Sequence, residues 1–160
     1  MKPHGTTIFC DDIRDEVGGK KTYVGVYLHD LVISGPLPAL IPSFGFVISY
    51  LEPVNFPKKD ISIKVFVPDA DGKDSVLLDA QIPEGRPDVN DKLSDGSPIE
   101  YRVHLGCFKV SPLIIASEGR IKVRAYSDGK EIKLGTLGVR LAKADELEKF
   151  GWSNAQIVSD

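Results

Sequence analysis

Apolar residues on every second position constrain this chain more than any other feature. Ile61, Ile63, Val65 and Val67 fall on one side of an extended segment, with Ser62, Lys64 and Phe66 on the other. Val76, Leu78, Ala80 and Ile82 alternate with Leu77, Asp79 and Gln81. Tyr101, Val103, Leu105 and Cys107 alternate with Arg102, His104 and Gly106, and Ile121, Val123 and Ala125 with Lys122, Arg124 and Tyr126. Successive side chains of a strand point to opposite faces, so each run reads as a half-buried β-strand. Residues 44–51 form a more continuous apolar run, which suits a central strand covered on both faces.

Turn chemistry separates the runs. Gly18-Gly19, Asp71-Gly72, Asp95-Gly96 and Asp128-Gly129 all supply residues that tolerate positive φ. About eight strands follow at the spacing of a sandwich, without a crossover helix between them, so a parallel α/β sheet is disfavoured. The expected fold is all-β: an immunoglobulin-like or C2-like antiparallel sandwich forming one domain over residues 1–160. Alternation does not choose among sandwich topologies. Residues 142–150 (AKADELEKF) predict one short helix, with Gly151 placed to end it and Trp152 near the sandwich edge. The tail beyond Trp152 reads as loose.

Two loops stand out. Residues 35–42 carry Pro36, Pro38 and Pro42, which remove ladder donors and favour extended backbone, as expected of a crossover between sheets. Leu37, Leu40 and Ile41 are large and apolar in this loop. They either cap an open end of the sandwich or form a patch for a partner. Residues 83–98 form a polar second loop.

The first strand is unusual because Asp11, Asp12, Asp15 and Glu16 surround a single Arg14. In a regular strand Phe9, Asp11, Ile13, Asp15 and Val17 share a face, which buries Asp11 between apolar groups. A β-bulge at Asp11-Asp12 instead directs Ile8, Cys10 and Ile13 to the core and the carboxylates outward, and this is the preferred reading.

The order Cys10-Asp11-Asp12-Ile13-Arg14, Glu16, Gly18-Gly19-Lys20 and Gly25-Val26-Tyr27 resembles the start of an uncharacterised bacterial family, a domain of unknown function. The specific part covers about the first fifth of the chain. The resemblance implies a bacterial, cytoplasmic protein and brings no activity with it.

Composition narrows the rest. A net charge of −3 gives no basic footprint, which disfavours nucleic acid. No apolar run reaches a membrane span, and the N-terminus has no signal-peptide core. Two cysteines, Cys10 and Cys107, are too few for a disulfide framework and read as small core residues. His104 and Cys107 are three apart on a strand and face opposite sides, a poor geometry for a nucleophilic pair. Gly18-Gly19-Lys20 lacks the spacing of a phosphate loop. Asp69, Asp71 and Asp74 invite a calcium reading, but the glycine comes too early for an EF-hand and no bidentate Glu closes the loop. The expectation is a non-enzymatic protein-interaction or structural module without a cofactor. Its partner is another protein or a second copy, with Leu37, Leu40 and Ile41 as the anchor. The alternative is a calcium-dependent binding module on Asp69, Asp71 and Asp74.

Overall fold

Alternating side chains do segregate into two pressed layers in the computed structural model, which describes residues 2–57, 60–82 and 95–149. In chain order the strands are β1 (His4–Asp15), β2 (Lys21–Val26), β3 (Leu31–Ile33), β4 (Ala39–Ile41), β5 (Phe44–Pro53) and β6 (Ile61–Pro68). There follow β7 (Asp74–Ile82), β8 (Tyr101–Val110), β9 (Leu113–Ile115), β10 (Gly119–Ser127) and β11 (Lys130–Leu141). A single short helix, α1 (Ala144–Lys149), comes last. The first sheet has the order β2-β1-β5-β8, and the second the order β3-β11-β10-β6-β7. All pairings are antiparallel except β3 with β11. The protein is an all-β sandwich with a short helix at its end.

The hairpin turns follow from their residues. Asp128 and Gly129 have φ of 53° and 71°, and they join the paired Ser127 and Lys130. A two-residue turn with positive φ at both positions matches the right-handed twist of its flanking strands.

The core lies between the layers. Phe9, Phe44, Phe46, Ile48 and Tyr50 enter it from the first sheet. Ile61, Ile63, Val65, Ile121, Val123 and Ala125 meet them from the second. Phe44 centres the aromatic contacts, 5.1 Å from the Phe46 ring and 5.4 Å from Tyr27, which stacks on it. Burying each such side chain contributes about 1.5–3 kcal/mol.

Three strands are only three residues long, which is why the sequence pattern shows about eight strands and the described residues eleven. Two of them, β4 and β9, lie on the passages between sheets. The proline-rich loop carries the chain from β3 in the second sheet to β5 in the first. After β8 the chain returns through β9 to β10. The two passages pair as a separate ribbon, Ala39 with Ile115 and Ile41 with Leu113.

Two bulges break the expected alternation. In β7 the register to β6 shifts so that Leu77 is the extra residue, which turns Leu77 towards the core and leaves Val76 exposed. In β11 Leu134 is the extra residue and is buried. The helix begins at Ala144, two residues later than the expected 142. Phe150, Gly151, Trp152 and the tail lie outside the described residues, as do residues 83–94 of the second loop.

Candidate functional site

The strand β8 has its apolar side facing solvent. Its alternation was legible, but the direction is the reverse of what apolarity suggests. Val103 and Leu105 are each 61% exposed, while Arg102 is buried and His104 half-buried. The reason is Glu52 on the neighbouring β5. Phe46, Ile48, Tyr50 and Glu52 follow one another on the inward side of β5, so Glu52 enters the interior at the end of the apolar run and is fully buried. A buried carboxylate needs partners. Arg102, directly opposite in the ladder, brings its Nη1 to 3.4 Å from Glu52 Oε1, and His104 Nε2 lies 3.3 Å from the same oxygen. Arg102 Nη2 also donates to the carbonyl of Val54 at 2.5 Å. Satisfying Glu52 therefore sets the phase of β8, and Val103, Leu105 and Cys107 are turned outward as a result.

Ladder register places neighbours beside this outward row. Val103 pairs with Leu51, Leu105 with Ser49, and Cys107 with Val47, which in turn pairs with Ile8 of β1. Adjacent strands lie about 4.8 Å apart, so these residues share one outward face across three strands, on which Val103, Leu105 and Ile8 are exposed, Val47 is buried and Ser49 is polar. Along the open side of β8 runs a groove of about 420 Å³, with Ile63, Ala80 and Ile82 of the other sheet facing His104, Gly106 and Phe108. Among the described residues, no strand pairs with the outer edge of β8.

The acidic first strand resolves into separate partnerships. Tyr27 donates its hydroxyl proton to Asp11, and Asp15 pairs with Lys21. Burial, followed by the Asp11 contact, pushes the Tyr27 phenol well above its ordinary value. Asp12 takes Lys109 at 2.6 Å and Arg14 at 3.1 Å, and these two cations, Lys109 foremost, hold its carboxyl below the usual range. Lys109, paired with Gly45 in the β5–β8 ladder, reaches across β5 to Asp12. Burial, helped by the Asp11 charge, pushes the Cys10 thiol up.

The expected bulge in this strand is corrected. The β1–β2 ladder keeps one register on both sides of a missing pair at Asp11 and Gly25, with Gly25 at φ +64°. The alternation does break there, since Cys10 and Ile13 both flank the outward position of Gly45. The inward residue, however, is Phe9, and Ile8 is exposed. Cys10 is buried on the outer side of the sheet rather than in the core cluster, and Cys107 is only half-buried on that same side. Both are free thiols.

The remaining candidates part company. Asp69 Oδ1 accepts from the backbone N–H groups of Asp71 and Lys73, both at 2.9 Å, and so closes its own turn. Asp74 pairs with Lys122 at 2.8 Å, and Asp71 lies 3.6 Å from Lys73. Among the described residues, no three His, Cys, Asp or Glu side chains gather closely enough to hold a metal ion. Leu37 and Ile41 pack against the core, whereas Leu40 is 62% exposed opposite the equally exposed Ile114. The loop thus splits between capping the sandwich and presenting an apolar tip. Among the described residues, no helix is long and apolar enough to cross a membrane.

Fold and site together define a β-sandwich whose first sheet turns an apolar row outward and ends, among the described residues, at an unpaired edge. Comparison with protein-family models, with curated proteins and with solved structures finds no match.

Proposed function

We propose that this chain is a non-enzymatic protein-interaction module that binds through the outward face and open edge of β8. One observation carries the reading: β8 buries Arg102 and directs His104 inward, while Val103 and Leu105 remain in solvent. Leaving two aliphatic side chains exposed forgoes about 1.5–3 kcal/mol apiece, which a partner covering them restores. Leu40 and Ile114 provide a second, smaller apolar contact on the ribbon. The proposal places the module in a bacterial cytoplasm, in line with its N-terminal resemblance and its two free thiols. Likeness to immunoglobulin-like or C2-like domains belongs to the same proposal, since such sandwiches present binding surfaces on loops and edges. The acidic balance of the chain argues for a protein partner over nucleic acid.

Affinity capture and native-mass measurement on wild-type protein, Leu105→Lys and Leu40→Asp test the reading. Leu105→Lys is expected to lose association while its far-UV circular dichroism stays unchanged, and Leu40→Asp to weaken association less. Unchanged assembly and partner recovery in both variants overturns the proposal.

A further inference from the structure

Four strands form the borders of the two sheets, and three of them are defended against edge-to-edge pairing. The strand β3 is three residues long. The strand β7 is interrupted by the bulge at Leu77 and carries exposed Asp74 and Asp79. The strand β2 is six residues long, with Lys21 exposed at its start and Gly25 at positive φ near its end. Short length, bulges and projecting charge are the devices that keep sheet edges from pairing with other chains.

Among the described residues the fourth border is the least defended: it is neither short nor bulged, and its one exposed charge, Lys109, stands near its end. The strand β8 is ten residues long, without proline, and its ladder with β5 runs without a shift from Phe44–Val110 to Pro53–Tyr101. Its three basic side chains are all drawn back into the subunit: Arg102 and His104 to Glu52, and Lys109 to Asp12. Among the described residues, a row of backbone donors and acceptors without a strand partner is left beside Val103 and Leu105.

We infer that this edge takes the β8 of a second copy, antiparallel about a twofold axis at Leu105, and so joins two first sheets into one. The inference rests on the interaction reading above and names its partner. Side-chain complementarity selects the register. In a continuous sheet, paired residues must share a face, so the axis passes through a residue, and the nearest alternatives to Leu105 are His104 and Gly106. Centring on His104 sets two imidazoles against each other. Centring on Gly106 sets Val103 against Lys109. Centring on Leu105 sets Val103 against Cys107, His104 against Gly106, and Lys109 against Tyr101, with no like charges opposed. Closed twofold pairing of this kind presents the same patch from both subunits.

The test combines sedimentation with thiol cross-linking on the full chain. Wild-type protein is expected to dimerise between low micromolar and submillimolar concentration, and Leu105→Lys to sediment as a folded monomer. Leu105→Cys in a Cys107→Ser background is expected to form an intersubunit disulfide on mild oxidation, because directly opposed Cβ atoms lie about 4.5–5.5 Å apart. Wild-type Cys107, which faces Val103 in this register, and Leu40→Cys in the same Cys107→Ser background are expected to cross-link poorly. Monomeric wild-type protein throughout that range overturns the second-copy inference. A dimer that survives Leu105→Lys also overturns it. The broader reading fails separately, when assembly and partner recovery are unchanged in both Leu105→Lys and Leu40→Asp.

Discussion

Arg102 stands directly opposite Glu52 in the β5–β8 ladder, and its guanidinium meets that fully buried carboxylate at 3.4 Å. The pair decides which side of β8 faces solvent.

Removing one member leaves a buried charge uncompensated. Glu52→Leu is expected to destabilise the fold by about 3–5 kcal/mol in urea denaturation. Adding Arg102→Met removes the orphaned cation, so the double variant should be more stable than Glu52→Leu alone. A double variant weaker by the full sum of the two single losses would refute the coupling.

The ribbon offers a sharp contrast between neighbours. Leu40 is exposed, and Leu40→Asp should change stability by no more than about 0.5 kcal/mol. Ile41 packs on the core, and Ile41→Asp buries an unpaired carboxylate, so it should unfold the protein or cost several kcal/mol, on the order of the known penalties. Equal thermal midpoints for the two variants would show that the ribbon is not seated as described.

Glycine is required at position 25 for two reasons. Its φ is +64°, and a Cβ there would fall on the Asp11 carboxylate. Gly18 also has positive φ, +79°, but no atom lies within 4 Å of its would-be Cβ. Gly18→Ala should therefore cost only the backbone strain, about 1–2 kcal/mol. Gly25→Ala should cost more, as read from thermal melts of both.

Acid should release the C-terminal helix. Arg140 grips Glu146 with two hydrogen bonds of 2.6 and 2.7 Å, and the Lys143 N–H adds a third at 2.9 Å. These contacts, Arg140 foremost, hold the Glu146 carboxyl down to about 2, against 4.5 for an unperturbed glutamate. A depressed folded-state value means that the contribution is fully present above pH 4.5 and fades as pH falls towards 2. Hydrogen exchange of residues 144–149 should rise through that window. In Glu146→Gln it should already be high at neutral pH, with no step.

Millimolar calcium should leave the melting temperature unchanged, because Asp69 closes its own turn and Asp74 holds Lys122. Ligand binding to the native state must raise the midpoint, so a clear upward shift would restore the calcium reading.

The sequence carried the architecture well where one local signal sufficed. Ile61, Ile63 and Val65 alternate and are buried as expected, and Asp128-Gly129 turns as its residues demand. Direction was harder to read. Alternation in β8 separates Val103 and Leu105 from Arg102 and His104, but it does not say which set faces inward. That depended on Glu52, fifty residues away from Arg102 and hidden at the end of an apolar run. A single acid following Phe46, Ile48 and Tyr50 at every second position was the available signal. The break at Leu77 was invisible for a similar reason, since a bulge is seen only against its partner strand. Leu37, Leu40 and Ile41 look alike in the sequence, yet pairing with β9 separates Leu40 from Ile41 by the simple alternation of a three-residue strand, while Leu37 packs on the core before it.

The route of the chain between the layers has a final consequence. Residues 4–26, 44–53 and 101–110 build one sheet, and residues 31–33, 61–82 and 119–141 the other. Neither layer is a continuous stretch of polypeptide, so a ribosome cannot complete the first before three of the second's five strands have been made. Assembly must await the last hairpin, and a nascent chain stalled before it would expose a half-built interior to chaperones and proteases.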